Sequence, residues 1–111
     1  MIRNILVVCS GNICRSPMAE RILRALIDRA GIEGVLVRSA GSLDIVGSAA
    51  SDNAVLACRE IGVDLTGHRS RALSASLLNW ADVVLGAEVS HLEACRSRAK
   101  GRVPRDRKSV V

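Results

Sequence analysis

The feature that most constrains this chain lies near its start. An apolar run, Arg3-Asn4-Ile5-Leu6-Val7-Val8-Cys9, passes through a single loop, Ser10-Gly11-Asn12-Ile13-Cys14-Arg15, into Ser16-Pro17. A short, nearly continuous run rich in β-branched residues suits a strand buried on both faces of a parallel sheet. Serine before proline predicts a helix start, with Ser16 as N-cap and Pro17 at the first helical position. Met18, Ile22, Leu23, Leu26 and Ile27 then keep a helical period of about 3.6 until Gly31 ends it. Strand, tight loop and helix in that order imply an α/β layer fold, and ligands of such folds sit where strand ends enter helices. The loop after the first strand is therefore the candidate site.

The rest of the chain continues the alternation. Leu36 to Ala40 predicts a second strand, and a Gly/Ser-rich connection from Gly41 to Ser51 leads to a helix over Asp52 to Ile61, closed by Gly62. A polar turn, Thr66-Gly67-His68-Arg69-Ser70, precedes a short helix over Ser74 to Trp80. Val83-Val84-Leu85 predicts a third strand, and Ser90 to Arg98 a further helix.

Composition narrows the function classes. The chain has 111 residues and a net charge of +5, enough for one small domain. From Arg96 onward, Arg96, Arg98, Lys100, Arg102, Arg105, Arg107 and Lys108 stand against Asp106 alone, so the excess belongs to the tail. Residues 96–111 are thus expected to be a basic, flexible tail, with contact to nucleic acid or anionic surfaces as the competing reading. Trp80 is the only aromatic residue, which excludes a sheet that binds RNA by stacking bases on aromatic side chains. No window approaches the about 18 apolar residues of a membrane span, and the opening residues lack a signal-peptide pattern, so a cytoplasmic protein without a membrane partner is expected. Cys9, Cys14, Cys58 and Cys95 form no C-x-x-C pair, which speaks against a structural zinc site, and no metal or cofactor is expected.

Cys9 and Arg15 bracket the loop. A glycine that permits unusual backbone angles and a helix N-terminus pointing back place several backbone N–H groups around one small volume, suited to a tetrahedral oxyanion such as phosphate. The same field favours a thiolate, making Cys9 a candidate nucleophile. The planar fork of Arg15 can hold two phosphoryl oxygens and follow their charge into the transition state. Ser10, Gly11, Asn12, Ile13, Cys14, Arg15 and Ser16 are the candidate phosphate-binding residues.

With these residues in place, the segment Val-Val-Cys-Ser-Gly-Asn-Ile-Cys-Arg-Ser-Pro-Met-Ala-Glu (7–20) resembles the signature of the low-molecular-weight protein tyrosine phosphatases. Arg38-Ser39-Ala40-Gly41, Asp64-Leu65-Thr66-Gly67-His68-Arg69-Ser70 and Trp80-Ala81-Asp82-Val83-Val84-Leu85 with Ser90-His91-Leu92-Glu93-Ala94 agree in order, so the resemblance covers about residues 3–95. It implies a phosphomonoesterase acting through a cysteinyl-phosphate on Cys9, with Arg15 clamping the phosphoryl group and a phosphorylated protein (phosphotyrosine) or small aryl phosphate as substrate. It further implies that Asn12, Ser16, Ser39 and His68 support the loop, with Ser16 Oγ donating to the Cys9 sulfur, and that Cys14 is a redox partner of Cys9. His91 is read as an exposed helix residue, and Cys58 and Cys95 as small core residues.

The resemblance also marks departures. The family's general acid is an Asp in an Asp-Pro dipeptide, which this sequence lacks; Asp106 is the one acid left in that region, in surroundings that do not match. Where family members place aromatics beside the substrate ring, this chain has Ser42-Leu43-Asp44-Ile45-Val46. The expected architecture is therefore a three-layer, doubly wound α/β domain over residues 1–95, a parallel sheet flanked by helices that lacks the usual fourth strand and last helix. An open edge on Val83 to Leu85 would then favour self-association or low stability. Impaired turnover is expected without the acid, and the alternatives are a non-catalytic phosphate- or phosphoprotein-binding module and a thiol-dependent arsenate reductase.

Overall fold

The structure is a computed structural model that describes residues 2–99 and the backbone of residues 108–110. Its elements in chain order are β1 (Asn4–Cys9), α1 (Arg15–Arg29), β2 (Leu36–Gly41), α2 (Asp52–Glu60), α3 (Ala75–Trp80), β3 (Val83–Gly86), α4 (Val89–Ala99) and β4 (Lys108–Val110). The sheet is parallel throughout, in the order β2-β1-β3-β4. β1 is interior, which is why its apolar run is continuous rather than alternating: successive side chains point to opposite faces, and both faces are covered.

Leu6 and Val8 are fully buried on one face, among Ala40, Leu73, Leu78, Ala81, Val84, Leu92, Cys95 and Ala99. A second cluster, Ala50, Ala54, Cys58 and Leu65, joins α2 to Met18 and Ile22 of α1. Sheet and helices thus form the expected three layers. Burying an aliphatic side chain of this size contributes about 1.5–3 kcal/mol, so the two clusters hold β1 and both loops at its end in one arrangement.

The helix boundaries follow local chemistry. Ser51 Oγ accepts from the Ala54 N–H and caps α2, and Ser74 Oγ accepts from the Leu77 N–H and caps α3. The expected cap of α1 differs. The helix begins at Arg15 with Cys14 in the cap position and no side-chain cap bond, because the Ser16 hydroxyl is engaged inside the loop instead.

Two further expectations are corrected at the C-terminal end. The fourth strand is present: β4 pairs with β3 through Val83↔Lys108, Val84↔Ser109 and Leu85↔Val110. A parallel ladder is made by backbone groups, so three residues suffice, and Lys-Ser-Val offers no apolar run by which a sequence would betray it. β3 is thereby interior, and self-association through an open β3 edge loses its basis. Among the described residues no helix follows β4. The expected tail is also partly structured. Residues 96–99 complete α4, where Leu92, Cys95 and Ala99 fall on one buried helix face, and Arg98 donates to the carbonyls of Leu73 and Ser42. Asp106 lies outside the described residues. No helix among the described residues is long and apolar enough to cross a membrane.

Candidate active site

The loop from Cys9 to Ser16 joins β1 to α1 and is built around Asn12. This residue is fully buried and adopts φ +56°, the left-handed region that costs a residue with a Cβ about 1–2 kcal/mol. Its side chain repays that strain by using every polar atom. Nδ2 donates to Ser16 Oγ and Ser39 Oγ, both at 2.9 Å, and Oδ1 accepts from the Arg71 N–H at 2.9 Å. The Asn12 carbonyl accepts from His68 Nε2 at 2.7 Å, which places the imidazole proton on that nitrogen. Asn12, Ser16, Ser39 and His68, the residues expected to support the loop, are thus drawn into one network.

The network fixes the direction of the Ser39 hydroxyl and leaves that of Ser16 to the sulfur beside it. Ser39 Oγ accepts from Asn12 and donates to Glu20 Oε1 at 2.8 Å. Glu20 is 6% exposed and pairs with Arg24 at 3.3 Å and Arg21 at 3.4 Å, so the inner end of the chain is anionic and neutralised from the surface. Ser16 Oγ likewise accepts from Asn12 and lies 2.9 Å from Cys9 Sγ. Its own proton is therefore free to point at the sulfur, where a hydroxyl donor stabilises a thiolate. Cys9 itself is 3% exposed, and all four cysteines are free thiols.

β2 closes in on the loop from the side. The N–H groups of Ser42 and Leu43 donate to the carbonyls of Cys9 and Ser10, both at 2.9 Å. Beyond them the wall is aliphatic. A side chain at Gly11 would meet Ile13 and Ile45, and Leu43 and Val46 are largely exposed. Arg98 of α4 braces this wall through Ser42 O and the Asp44 carboxylate, each at 3.1 Å. Ile13 turns its carbonyl to the Ser51 N–H at 2.7 Å, tying the loop to the start of α2, and Cys14 packs against the same cluster as Cys58. Cys58 and Cys95 are core residues, as expected, and burial pushes both thiols up, Cys95 to about 11.

Arg15 stands at the rim, where its Nη1 donates to Glu88 Oε1 at 2.8 Å. Both groups are about half exposed; the hydrogen bond raises Arg15 further and holds Glu88 below the usual carboxylate range. His91 is a correction. It is 3% exposed, with Nε2 at 3.0 Å from Ser10 Oγ and Nδ1 at 3.0 Å from the Glu88 N–H. The turn from β3 into α4 folds its first residues back onto the loop, and a histidine there is buried by tertiary packing that helical periodicity does not encode. Glu20 and Glu88 were also missed as site residues. Glu20 sits one helical turn beyond Ser16, a spacing from which its inward direction is readable; Glu88 carried no sequence signal. Among the described residues no group of His, Cys, Asp and Glu is arranged to hold a metal ion.

The sequence profile of the family described as low molecular weight phosphotyrosine protein phosphatase matches residues 4–110, which include the whole of this loop and its supporting residues. The chain belongs to that family. Family members named protein-tyrosine-phosphatases are phosphoric monoester hydrolases, and this chain is such an enzyme by kinship. The probable low molecular weight protein-tyrosine-phosphatase EpsP of Ralstonia solanacearum is 42% identical over 106 residues, covering 93% of this chain and 70% of its own length. The crystal structure of the Erwinia amylovora tyrosine phosphatase AmsI superposes with a TM-score of 0.86 at 34% identity, over 99% of this chain and 68% of that one. The tyrosine phosphatase Wzb from Escherichia coli K30, solved in complex with sulphate, gives a TM-score of 0.82 at 33% identity over 99% of this chain and 72% of its own. The chain thus spans about seven-tenths of these relatives.

Proposed function

We propose that the chain is a cytoplasmic phosphomonoesterase that works through a cysteinyl-phosphate on Cys9, with phosphotyrosine proteins or small aryl phosphates as substrates. The observation that carries this reading is the hydrogen-bonded chain from Asn12 Nδ2 to Ser16 Oγ to Cys9 Sγ, each step 2.9 Å, which leaves a hydroxyl proton free to meet the sulfur. The thiolate attacks phosphorus in line; an S–P bond forms as the P–O bond to the leaving group breaks, and the electron pair leaves with the aryl oxygen. Water then attacks the thiophosphate, releasing inorganic phosphate and returning the thiolate. Backbone N–H groups of residues 10–16 and the Arg15 guanidinium hold the phosphoryl oxygens, so Arg15 exchanges Glu88 for, or shares it with, the substrate.

A positioned general acid contributes about 10² to 10⁴ in rate, and a phenolate needs one less than an alkoxide does. Aryl phosphates, whose leaving groups need the least help, are therefore the substrates on which the reading is best tested. The aliphatic wall of Leu43, Ile45 and Val46 offers burial to an aryl ring without stacking. Cys14 serves as the redox partner of Cys9. Hydrolysis of p-nitrophenyl phosphate by the wild type and by Cys9→Ser tests the proposal: turnover that the variant abolishes supports it. Vanadate binding without turnover in the wild type would overturn it in favour of a phosphate-binding module.

A further inference from the structure

The Ser10 side chain and His91 have no role in the reaction just described, yet their geometry is fully determined. His91 is buried, and its Nδ1 faces the backbone N–H of Glu88 at 3.0 Å. A backbone N–H only donates, so Nδ1 is the acceptor and the neutral ring carries its proton on Nε2. That proton is therefore donated to Ser10 Oγ, 3.0 Å away. The direction of the serine hydroxyl follows: one lone pair is taken by His91, and the hydroxyl proton meets no acceptor among the described residues. Ser10 is half-buried, so this proton is available to an acceptor that reaches the loop. Ser10 adjoins the nucleophile, and Glu88, whose N–H fixes the imidazole, holds Arg15 at the same rim.

We propose that Ser10 is a further substrate-contacting residue, its hydroxyl donating to a phosphoryl oxygen of the bound monoester, and that His91 is the positioning residue that aims it. The inference rests on the phosphatase reading of the loop. No proton changes hands, because a neutral imidazole that gave up its Nε2 proton would become an imidazolate. The pair thus stabilises phosphoryl charge and does not replace a general acid. A single donor to a charged group is worth about tenfold to a hundredfold in binding.

The test is a double-mutant cycle in the full chain, read by inhibition constants for inorganic phosphate and by kcat and KM on p-nitrophenyl phosphate. Ser10→Ala is expected to weaken phosphate by about tenfold or more, and Ser10→Thr, which keeps the hydroxyl, to restore most of the loss. His91→Ala is expected to cost a similar factor in the wild type and little in the Ser10→Ala background, since it acts through that hydroxyl. If His91 were only a packing residue, its effect would persist unchanged in that background, and this would overturn the proposal. Ser10→Ala binding phosphate within twofold of wild type would overturn it equally. Should the alanine variants not fold, imidazole nitrogen shifts of the wild type decide: a protonated Nδ1 at neutral pH sinks the geometry. If the wild type binds phosphate but turns nothing over, the phosphatase reading fails while the binding cycle still judges Ser10. A wild type that binds no oxyanion overturns both.

Discussion

Gly41 is pressed against the carbonyl of Ser10: a Cβ placed on it would lie 2.6 Å from that oxygen and 3.0 Å from the Asn12 nitrogen. The obstructing atoms are backbone, so no side-chain rotation relieves the contact, and β2 can close on the loop only as glycine. The end of the second strand thus helps to shape the loop between Cys9 and Ser16.

Gly41→Ala is accordingly expected to push the loop and β2 apart. Overpacking of this kind costs about 1–3 kcal/mol, seen as a lower denaturation midpoint. The displaced N–H groups should also reduce kcat/KM on an aryl phosphate by tenfold or more, since donors to a developing charge act over a narrow range of distance. A variant with wild-type stability and turnover would show that the sheet end tolerates what the geometry forbids.

The strain at Asn12 can be separated from its hydrogen bonds. Asn12→Ala loses both the bonds and the freedom to sit at φ +56°, whereas Asn12→Gly loses the bonds alone. Both variants should be destabilised, because the Arg71 N–H and the Ser39 hydroxyl lose buried partners. The alanine variant should be worse by about 1–2 kcal/mol in urea unfolding. Equal losses would mean that the loop abandons the left-handed conformation once the side chain is gone.

Ser16→Ala removes the hydroxyl that points at Cys9 and leaves the rest of the network with one unmet donor on Asn12. The expected outcome is slower alkylation of Cys9 by iodoacetamide at neutral pH, together with a fall in kcat, because the sulfur loses a hydrogen-bond partner that can stabilise negative charge on it. Alkylation at an unchanged rate would place the activation of the sulfur in the backbone N–H groups instead.

Glu88 pairs with Arg15, and on the proposed reading a bound phosphoryl group is a second anion beside that guanidinium. Glu88→Gln should therefore tighten inhibition by inorganic phosphate by about two- to tenfold at low ionic strength, with the difference shrinking as salt screens the carboxylate. The pair also sets a pH dependence. Arg15 holds the Glu88 carboxylate below its usual range, so the pair's contribution to stability is present above the unfolded carboxylate value and is lost as pH falls through the lowered one. Both groups are about half exposed, so that contribution should be small, visible as a slightly shallower acid limb of the unfolding profile in Glu88→Gln.

How legible the site was depends on how local each signal is. Residues 4–29 declare themselves because a buried parallel strand, a loop and an amphipathic helix each leave a pattern within a few positions. Cys9 and Arg15 are readable for the same reason, whereas the supporting role of Asn12 came with the resemblance of the loop. Ser39 and His68 come from other parts of the chain, and only the resemblance of their short motifs put them beside the loop. Ser16 was misassigned as a helix cap because a serine before proline has two uses for its hydroxyl, and the tertiary one prevails here. His91 and Glu88 were illegible because their roles depend on how the turn into α4 packs against the loop. Lys108–Val110 escaped because a strand held by backbone pairing alone needs no side-chain pattern.

Oxidation offers the last separation. Cys9 and Cys14 are both free thiols on one curled loop, Cys9 buried and Cys14 half-buried. Hydrogen peroxide converts the Cys9 thiolate to a sulfenic acid with release of water. On the proposed reading of Cys14 as redox partner, attack by its sulfur then expels a second water and leaves a disulfide, which two electrons from dithiothreitol reopen. Peroxide-treated wild type should thus recover most of its aryl phosphatase activity on reduction. Cys14→Ser lacks the resolving sulfur, so its Cys9 should proceed to the sulfinic acid and stay inactive, with a mass gain of two oxygens on the peptide containing Cys9. Full recovery of the variant after the same treatment would show that Cys14 does not protect the nucleophile.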